Sequence, residues 1–318
     1  MHCRHCGSDC RQQPDVADMP AADFLRAIDS LTPHLDPHRT FIILTGGEAL
    51  LRPDLEEVGW ELYRRGYPWG VVTNAFLLDS QRLASLTESG MHSLTVSLDG
   101  LAPQHDSLRR CPSAFAHADR ALGLLAQQHE VLWDVVTCVS PLNFDHLADL
   151  KQHLIGRGVR HWRLFSIAPM GRAASDRQLQ LAPEQLRGLM DFIVSSRAAG
   201  DPIRLSYACE GFLGEYEGRV RDHLFFCRSG IEVASIRCDG SIGGCTSVRS
   251  PMSQGNIYTD DLWDVWQHRF QAMRHREWTR KGQCATCKVY RYCEGSGLHL
   301  YDDHQQLLTC HYQRLGLM

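Results

Sequence analysis

The chain has 318 residues, 43% of them hydrophobic and 22% charged, with 33 lysines and arginines against 37 aspartates and glutamates, for a net charge of −4. That composition fits one large globular domain or two unequal ones, and it offers no basic excess for a nucleic-acid partner. No apolar run is long enough to span a bilayer and the opening residues Met1-His2-Cys3-Arg4-His5 lack a signal-peptide core, so the expectation is a soluble, cytoplasmic chain with no membrane partner.

In chain order, residues 41–45 read as a short apolar strand running into Gly46-Gly47. Pro53 opens a helix with Leu55, Val58 and Leu62 on one face, closed by Gly66. Residues 69–74 are a second strand, and Ser80 caps a helix that stops at Gly90. A third strand over 93–99 and a helix over 113–128 follow. Residues 131–138 form a fourth strand, Asn143 caps a helix through Leu154, and 160–166 form a fifth strand. A helix over 183–197 and a short strand at 203–207 complete the series. Apolar strands with little alternation, separated by helices, predict a parallel sheet buried on both faces. Two architectures satisfy this: a doubly wound sheet, or a full or partial (β/α) barrel. Both put active residues at the carboxyl ends of strands, here Gly46-Gly47-Glu48, Thr73-Asn74 and Ser97 to Asp99. The rhythm fades over 198–226, which divides the chain into a domain at 1–197, a linker with an extra strand, and a cysteine-rich domain at 227–318.

Thirteen cysteines are many for a reducing compartment, where clustered thiols read as metal or cluster ligands rather than disulfides. Cys3, Cys6 and Cys10 crowd the first ten residues, and seven follow residue 226: Cys227, Cys238, Cys245, Cys284, Cys287, Cys293 and Cys310. Cys111, Cys138 and Cys209 are scattered and read as small buried hydrophobes. Taken alone, Cys3-x2-Cys6 suits zinc as well as iron–sulfur, and four carboxyl-terminal thiolates suit structural zinc.

Cys3-Arg4-His5-Cys6, followed one strand later by Gly46-Gly47-Glu48-Ala49-Leu50-Leu51-Arg52-Pro53, resembles the radical S-adenosylmethionine (SAM) superfamily. The resemblance implies a partial (β/α)6 barrel. It also implies three thiolates on a [4Fe–4S] cluster whose open iron is chelated by SAM, and cleavage of SAM to a 5′-deoxyadenosyl radical that abstracts hydrogen from a substrate. The family motif is C-x3-C-x2-C, and Cys3 and Cys6 match its second and third cysteines. The first cysteine and the first barrel strand would fall ahead of Met1. The expectation is therefore a truncated chain lacking its first strand, or a site in which Cys10 replaces the missing thiol. By the same resemblance Gly46, Gly47 and Glu48 bind the methionyl amine, Ser97 and Arg109 hold the SAM carboxylate, and Thr73 and Asn74 lie near the ribose. Residues 163–172 match the adenine side more loosely.

Cys227, Gly240-x4-Cys245, Cys284-x2-Cys287-x5-Cys293 and Cys310 resemble the SPASM extension, which implies one or two auxiliary [4Fe–4S] clusters. Cys284, Cys287, Cys293 and Cys310 complete the outer set. The inner set has Cys227, Cys245 and the additional Cys238, with Gly297 where the pattern has a cysteine. Further stretches, such as Cys209-Glu210-Gly211-Phe212 and Gln254-Gly255-Asn256-Ile257-Tyr258, resemble SPASM proteins of Bacteroidetes-type bacteria associated with a small lipoprotein or peptide. The implied function is modification of a peptide or small protein, with a flavodoxin- or ferredoxin-type electron donor. A small-molecule or tetrapyrrole substrate is the alternative, and a non-catalytic iron–sulfur or zinc scaffold a third reading.

Overall fold

A computed structural model of the chain describes residues 1–7, 17–208, 211–248 and 252–318. Cys10 and Cys209 lie outside the described residues, so neither the expected replacement ligand nor the Cys209 segment is placed.

Helix α1 (Ala21–Asp29) precedes six strands: β1 (Ile42–Leu44), β2 (Trp69–Thr73), β3 (Met91–Ser97), β4 (Leu132–Val139), β5 (His161–Ser166) and β6 (Arg204–Tyr207). All neighbours are parallel and the order is sequential from β1 to β6. A doubly wound sheet reverses its order at a switch point, whereas a barrel wall grows in one direction. The sheet is thus a partial barrel wall, which settles the choice left open above. The connections are α2 (Leu55–Arg64), α3 (Ser80–Glu88), α4 (Ala102–Arg109), α5 (Ala114–Leu125), α6 (Leu147–Gly156) and α7 (Pro183–Ala198). β6 lies in the segment first read as linker, yet it pairs with β5 as the sixth strand of the same sheet. β1 is an edge strand; Ile43 is 56% exposed and Phe41 45%.

Helices press onto the outer face. Gly59 of α2 lets that helix close on β2, because a Cβ there would lie 2.1 Å from the Trp69 indole. Along β4, Val135, Thr137 and Val139 are buried beneath helices, while Asp134, Val136 and Cys138 alternate onto the inner face. Lower on that face Thr95 donates to Asp134 at 2.7 Å, and Arg163 binds both, tying three strands together.

Two helix starts differ from expectation. The cap of α3 is Asp79, whose carboxylate accepts from Arg82 N at 2.8 Å, because an ionised side chain there outcompetes Ser80. Asn143 caps nothing; its amide donates to the Asp99 and Cys138 carbonyls and α6 begins at Leu147.

The carboxyl-terminal region has an antiparallel sheet of β7 (Ser235–Ile236), β8 (Ser241–Gly243) and β9 (Gly255–Asn256). Short helices α8 (Leu262–His268), α9 (Gln271–Arg274), α10 (Tyr290–Cys293) and α11 (His311–Arg314) complete it. Its core of Phe225, Ile242, Val265, Phe270, Met273 and Leu298 is separate from the barrel core but includes Ala27 of α1. Among the described residues no helix is long and apolar enough to cross a membrane.

Candidate active site and cysteine centres

The carboxyl ends of β1 and β2 bring Glu48, Thr73 and Asn74 together. The Glu48 carboxylate accepts from Thr73 Oγ1 at 2.6 Å, Asn74 N at 2.8 Å and Leu50 N at 3.1 Å. Thr73 is buried, and its hydroxyl also accepts from Ala75 N, so it serves the loop rather than facing the opening. Gly46 and Gly47 are exposed, with no atom within 4 Å of where a Cβ would lie; the loop between β1 and Glu48 thus faces open space.

Ser97 ends β3, half-buried on the inner face. Arg109, at the end of α4, already holds a protein carboxylate: its Nε and Nη2 both lie 2.8 Å from Asp99 Oδ2. Asp99 is 1% exposed and is the hub of the site. Its Oδ1 accepts from Cys138 N at 2.9 Å, its own N–H donates to His105 Nδ1 at 2.9 Å, and His5 Nε2 lies 3.5 Å from Oδ2. Burial pushes the Asp99 carboxyl up, but Arg109, His5 and His105 more than reverse this and hold it well below the usual carboxylate range. Burial pushes His105 down to about 4, against the opposing pull of Asp99. It is therefore neutral and accepts at Nδ1.

Ligand atoms of His5, Asp99 and Cys138 fall within 4.8 Å of one another, a grouping that in isolation resembles a metal site. Arg109 already supplies the cation to Asp99, so we read the trio as a neutralised ion cluster. The sequence reading missed the hub. The available signal was the alternation along β4, which puts Cys138 on the same face as Asp134.

This cluster supports the cysteine loop. Arg4 N donates to Leu108 O at 2.8 Å, Arg172 N to Cys6 O at 3.0 Å and Arg172 Nε to Cys3 O at 2.7 Å. The Arg4 guanidinium pairs with Asp176 at 2.7 Å. Burial raises the Cys3 thiol pKa, while Arg109 opposes it. Two half-buried thiols beside a cation fit part of a cluster site, because ligation needs thiolates. Gly171 makes the approach feasible: its φ is +57°, and a Cβ would lie 2.4 Å from both Cys6 O and Gly7 O. Gly171→Ala should therefore displace the loop. Iron analysis is expected to show loss at the amino-terminal pair with the carboxyl-terminal centre retained.

Cys284, Cys287, Cys293 and Cys310 converge. Burial raises the thiols of Cys284, Cys293 and Cys310, that of Cys293 to about 11, and nearby thiols of the same set raise them further. Among the described residues no three of these sulfurs lie mutually within 4.8 Å. Four thiols gathered in this way can hold a cluster or a zinc ion. The remaining thiols are spread differently. Cys227 is buried and accepts from Leu298 N at 3.5 Å, Cys245 lies against the same core, and Cys238 is exposed. Gly297 precedes a short 3-10 turn (Leu298–Leu300).

A buried chain joins this centre to the barrel. Ser166 Oγ, at the end of β5, lies 2.8 Å from Tyr207 OH of β6 and 3.2 Å from His311 Nε2, the residue after Cys310. Arg314 of α11 donates to Leu181 O.

A family model of the radical SAM superfamily matches residues 1–154, and one of the SPASM iron–sulfur cluster-binding domain matches residues 227–288. Neither resolves the lipoprotein-associated subgroup. The chain is 23% identical to the AdoMet-dependent heme synthase of Oleidesulfovibrio alaskensis, over 95% of this chain and 82% of that protein. It is 29% identical to the Fe-coproporphyrin III synthase of Methanosarcina barkeri, over 93% of this chain and 79% of that protein. Its fold is similar to anSMEcpe with bound AdoMet and the Cp18Cys peptide (TM-score 0.75, 18% identity, 100% of this chain and 91% of that one). It is also similar to Streptococcus suis SuiB bound to S-adenosylmethionine (TM-score 0.71, 16% identity, 92% and 69%).

Proposed function

Because the chain belongs to the radical SAM superfamily and carries a SPASM iron–sulfur cluster-binding domain, we propose that this enzyme acts on a tetrapyrrole bearing carboxylate side chains. The observation that carries the substrate class is the sequence likeness, over more than nine-tenths of the chain, to synthases named for heme and Fe-coproporphyrin III. The structural likeness to SuiB, one of whose structures holds its precursor peptide, supports the fold alone, so the peptide reading has less behind it.

In this reading Cys3 and Cys6 hold the SAM-side cluster together with a third ligand, for which Cys10 is our candidate. That cluster, when bound, supplies the electron that cleaves SAM. Glu48, fixed by Thr73 and Asn74, presents the loop over which the methionyl group binds. Ser97 offers a hydroxyl on the inner face. Arg109 acts through Asp99 to fix the cysteine loop. Cys284, Cys287, Cys293 and Cys310 hold an auxiliary cluster that exchanges electrons.

The test is anaerobic reconstitution with iron and sulfide, then SAM and dithionite, with Fe-coproporphyrin III in one arm and a short-peptide library in the other. We expect 5′-deoxyadenosine and a mass change confined to the porphyrin, both lost in Cys6→Ala. A mass change confined to peptides would overturn the substrate class.

A further inference from the structure

The inner face of the barrel wall carries a guanidinium at mid-height. Arg163 of β5 registers with Val136 of β4, which in turn registers with Ser97 of β3. Its side chain leans back toward the amino ends of the strands. There Nε donates to Asp134 Oδ2, and Nη2 donates to Asp134 Oδ1 and to Thr95 Oγ1, each at 3.1 Å. Thr95 Oγ1 donates to Asp134 Oδ1 at 2.7 Å, so the carboxylate is itself fixed. Arg163 falls in the stretch first matched to the adenine side, but this lean carries its charge away from the strand end.

These bonds use Nε and Nη2 and leave the two N–H groups of Nη1. Nη1 has no partner among the described residues, and the Arg163 side chain is 41% exposed. Asp134 and Thr95 thus hold one edge of the fork and leave the other open. Val72, Val136 and Phe165 share this face, in register with Thr95, Ser97 and Cys138, and all three are half-buried. Leu132, at the foot of β4, is 78% exposed. A few fixed polar groups among apolar side chains, open to solvent, are the make-up of a small-molecule site. Thr95 stands two residues, about 7 Å, below Ser97. A molecule seated here would therefore lie beneath the position proposed for SAM.

We propose that Arg163 sets substrate specificity: its Nη1 binds a carboxylate side chain of the substrate inside the barrel, while the apolar side chains around it meet the flat macrocycle. The inference rests on the tetrapyrrole reading above and deepens it, from a substrate class to the group that recognises it. This chemistry selects an acid over its ester. A guanidinium edge makes charge-assisted hydrogen bonds to a carboxylate, and an ester offers it no charge. Asp134 and Thr95 act through Arg163 and are positioning residues.

The test measures binding rather than turnover. The full chain, reconstituted with iron and sulfide, is titrated by equilibrium dialysis with free-base coproporphyrin III and, separately, with its tetramethyl ester. The parent should bind the acid about tenfold more tightly than the ester, and Arg163→Gln should lower affinity for the acid about tenfold while leaving that for the ester unaltered. Arg163→Lys, which keeps the charge without the fork, should fall between the two. Arg163→Gln leaves Asp134 without its cation. If that variant does not fold, Arg163→Gln/Asp134→Asn replaces it, because Thr95 can still donate to the asparagine oxygen. An affinity for the acid unchanged by the substitution, or acid and ester affinities that fall together, overturns the role of Arg163. Equal affinities of the parent for acid and ester do the same. A parent that binds neither porphyrin overturns the tetrapyrrole reading, and the assignment with it.

Discussion

Asp99→Ala is expected to destabilise the barrel by about 3–5 kcal/mol, the cost of leaving a buried charge without its partner. It should also release iron from the amino-terminal cysteine pair while the carboxyl-terminal centre stays loaded. Asp99 joins four groups from three pieces of chain: the Arg109 fork and His105 of α4, His5 of the cysteine loop, and the backbone of Cys138 on β4. Removing it strands Arg109 in an almost fully buried position. Chemical denaturation with iron analysis of the two centres would check both effects. An unchanged midpoint would remove Asp99 from the role of hub. The same cluster predicts acid sensitivity. His105 and Asp99 both have folded values below their unfolded ones, so the unfolded chain binds more protons and stability is lost as the pH is lowered. The His105 share is full above its ordinary value near 6.5 and is lost as pH falls toward about 4. The Asp99 share is lost lower still, below the ordinary carboxylate range. Melting temperatures from pH 7 to pH 4 should show this slope, and His105→Gln should flatten it over the upper part of that window.

His311→Ala should have the second-largest effect, because it cuts the chain that fixes Cys310 to the barrel. Ser166 and Tyr207 keep their own 2.8 Å contact in the variant, so the stability cost is that of one hydrogen bond, about 0.5–1.5 kcal/mol. Because His311 directly follows Cys310, the expected signature is altered electron paramagnetic resonance of the carboxyl-terminal centre at unchanged iron content. His311→Gln, which keeps a polar atom for Ser166, should restore most of the spectrum. If His311→Ala lowers stability alone and leaves the spectrum untouched, His311 is a packing residue and no more.

The six strands were legible because each is a short apolar run closed by glycine or polar residues, and the structure places them within about two residues of expectation. Helix α4 was not, since its sequence of Ala-Pro-Gln-His-Asp-Ser-Leu-Arg has almost no apolar face. It is held by what it carries at its end, Arg109, rather than by its own pattern. The paired thiols and Gly46-Gly47-Glu48 could be read from spacing. The Asp99 hub could not, because its members stand at positions 5, 99, 105, 109 and 138 and meet only once the sheet is assembled. The same holds for Ser166 and His311, which are 145 residues apart.

The tie between Arg172 and the Cys3 carbonyl spans 169 residues of sequence. Sequential strand order lets the wall grow one unit at a time from β1 onward, with each new pairing local. The cysteine loop is the exception: its supports Asp99 and Leu108 come with β3 and α4, but Arg172 and Asp176 come only with the turn after β5. A loop held from both halves of the wall is thereby a sensor of its completeness: loss of the turn after β5 would loosen the thiols at the other end of the sequence.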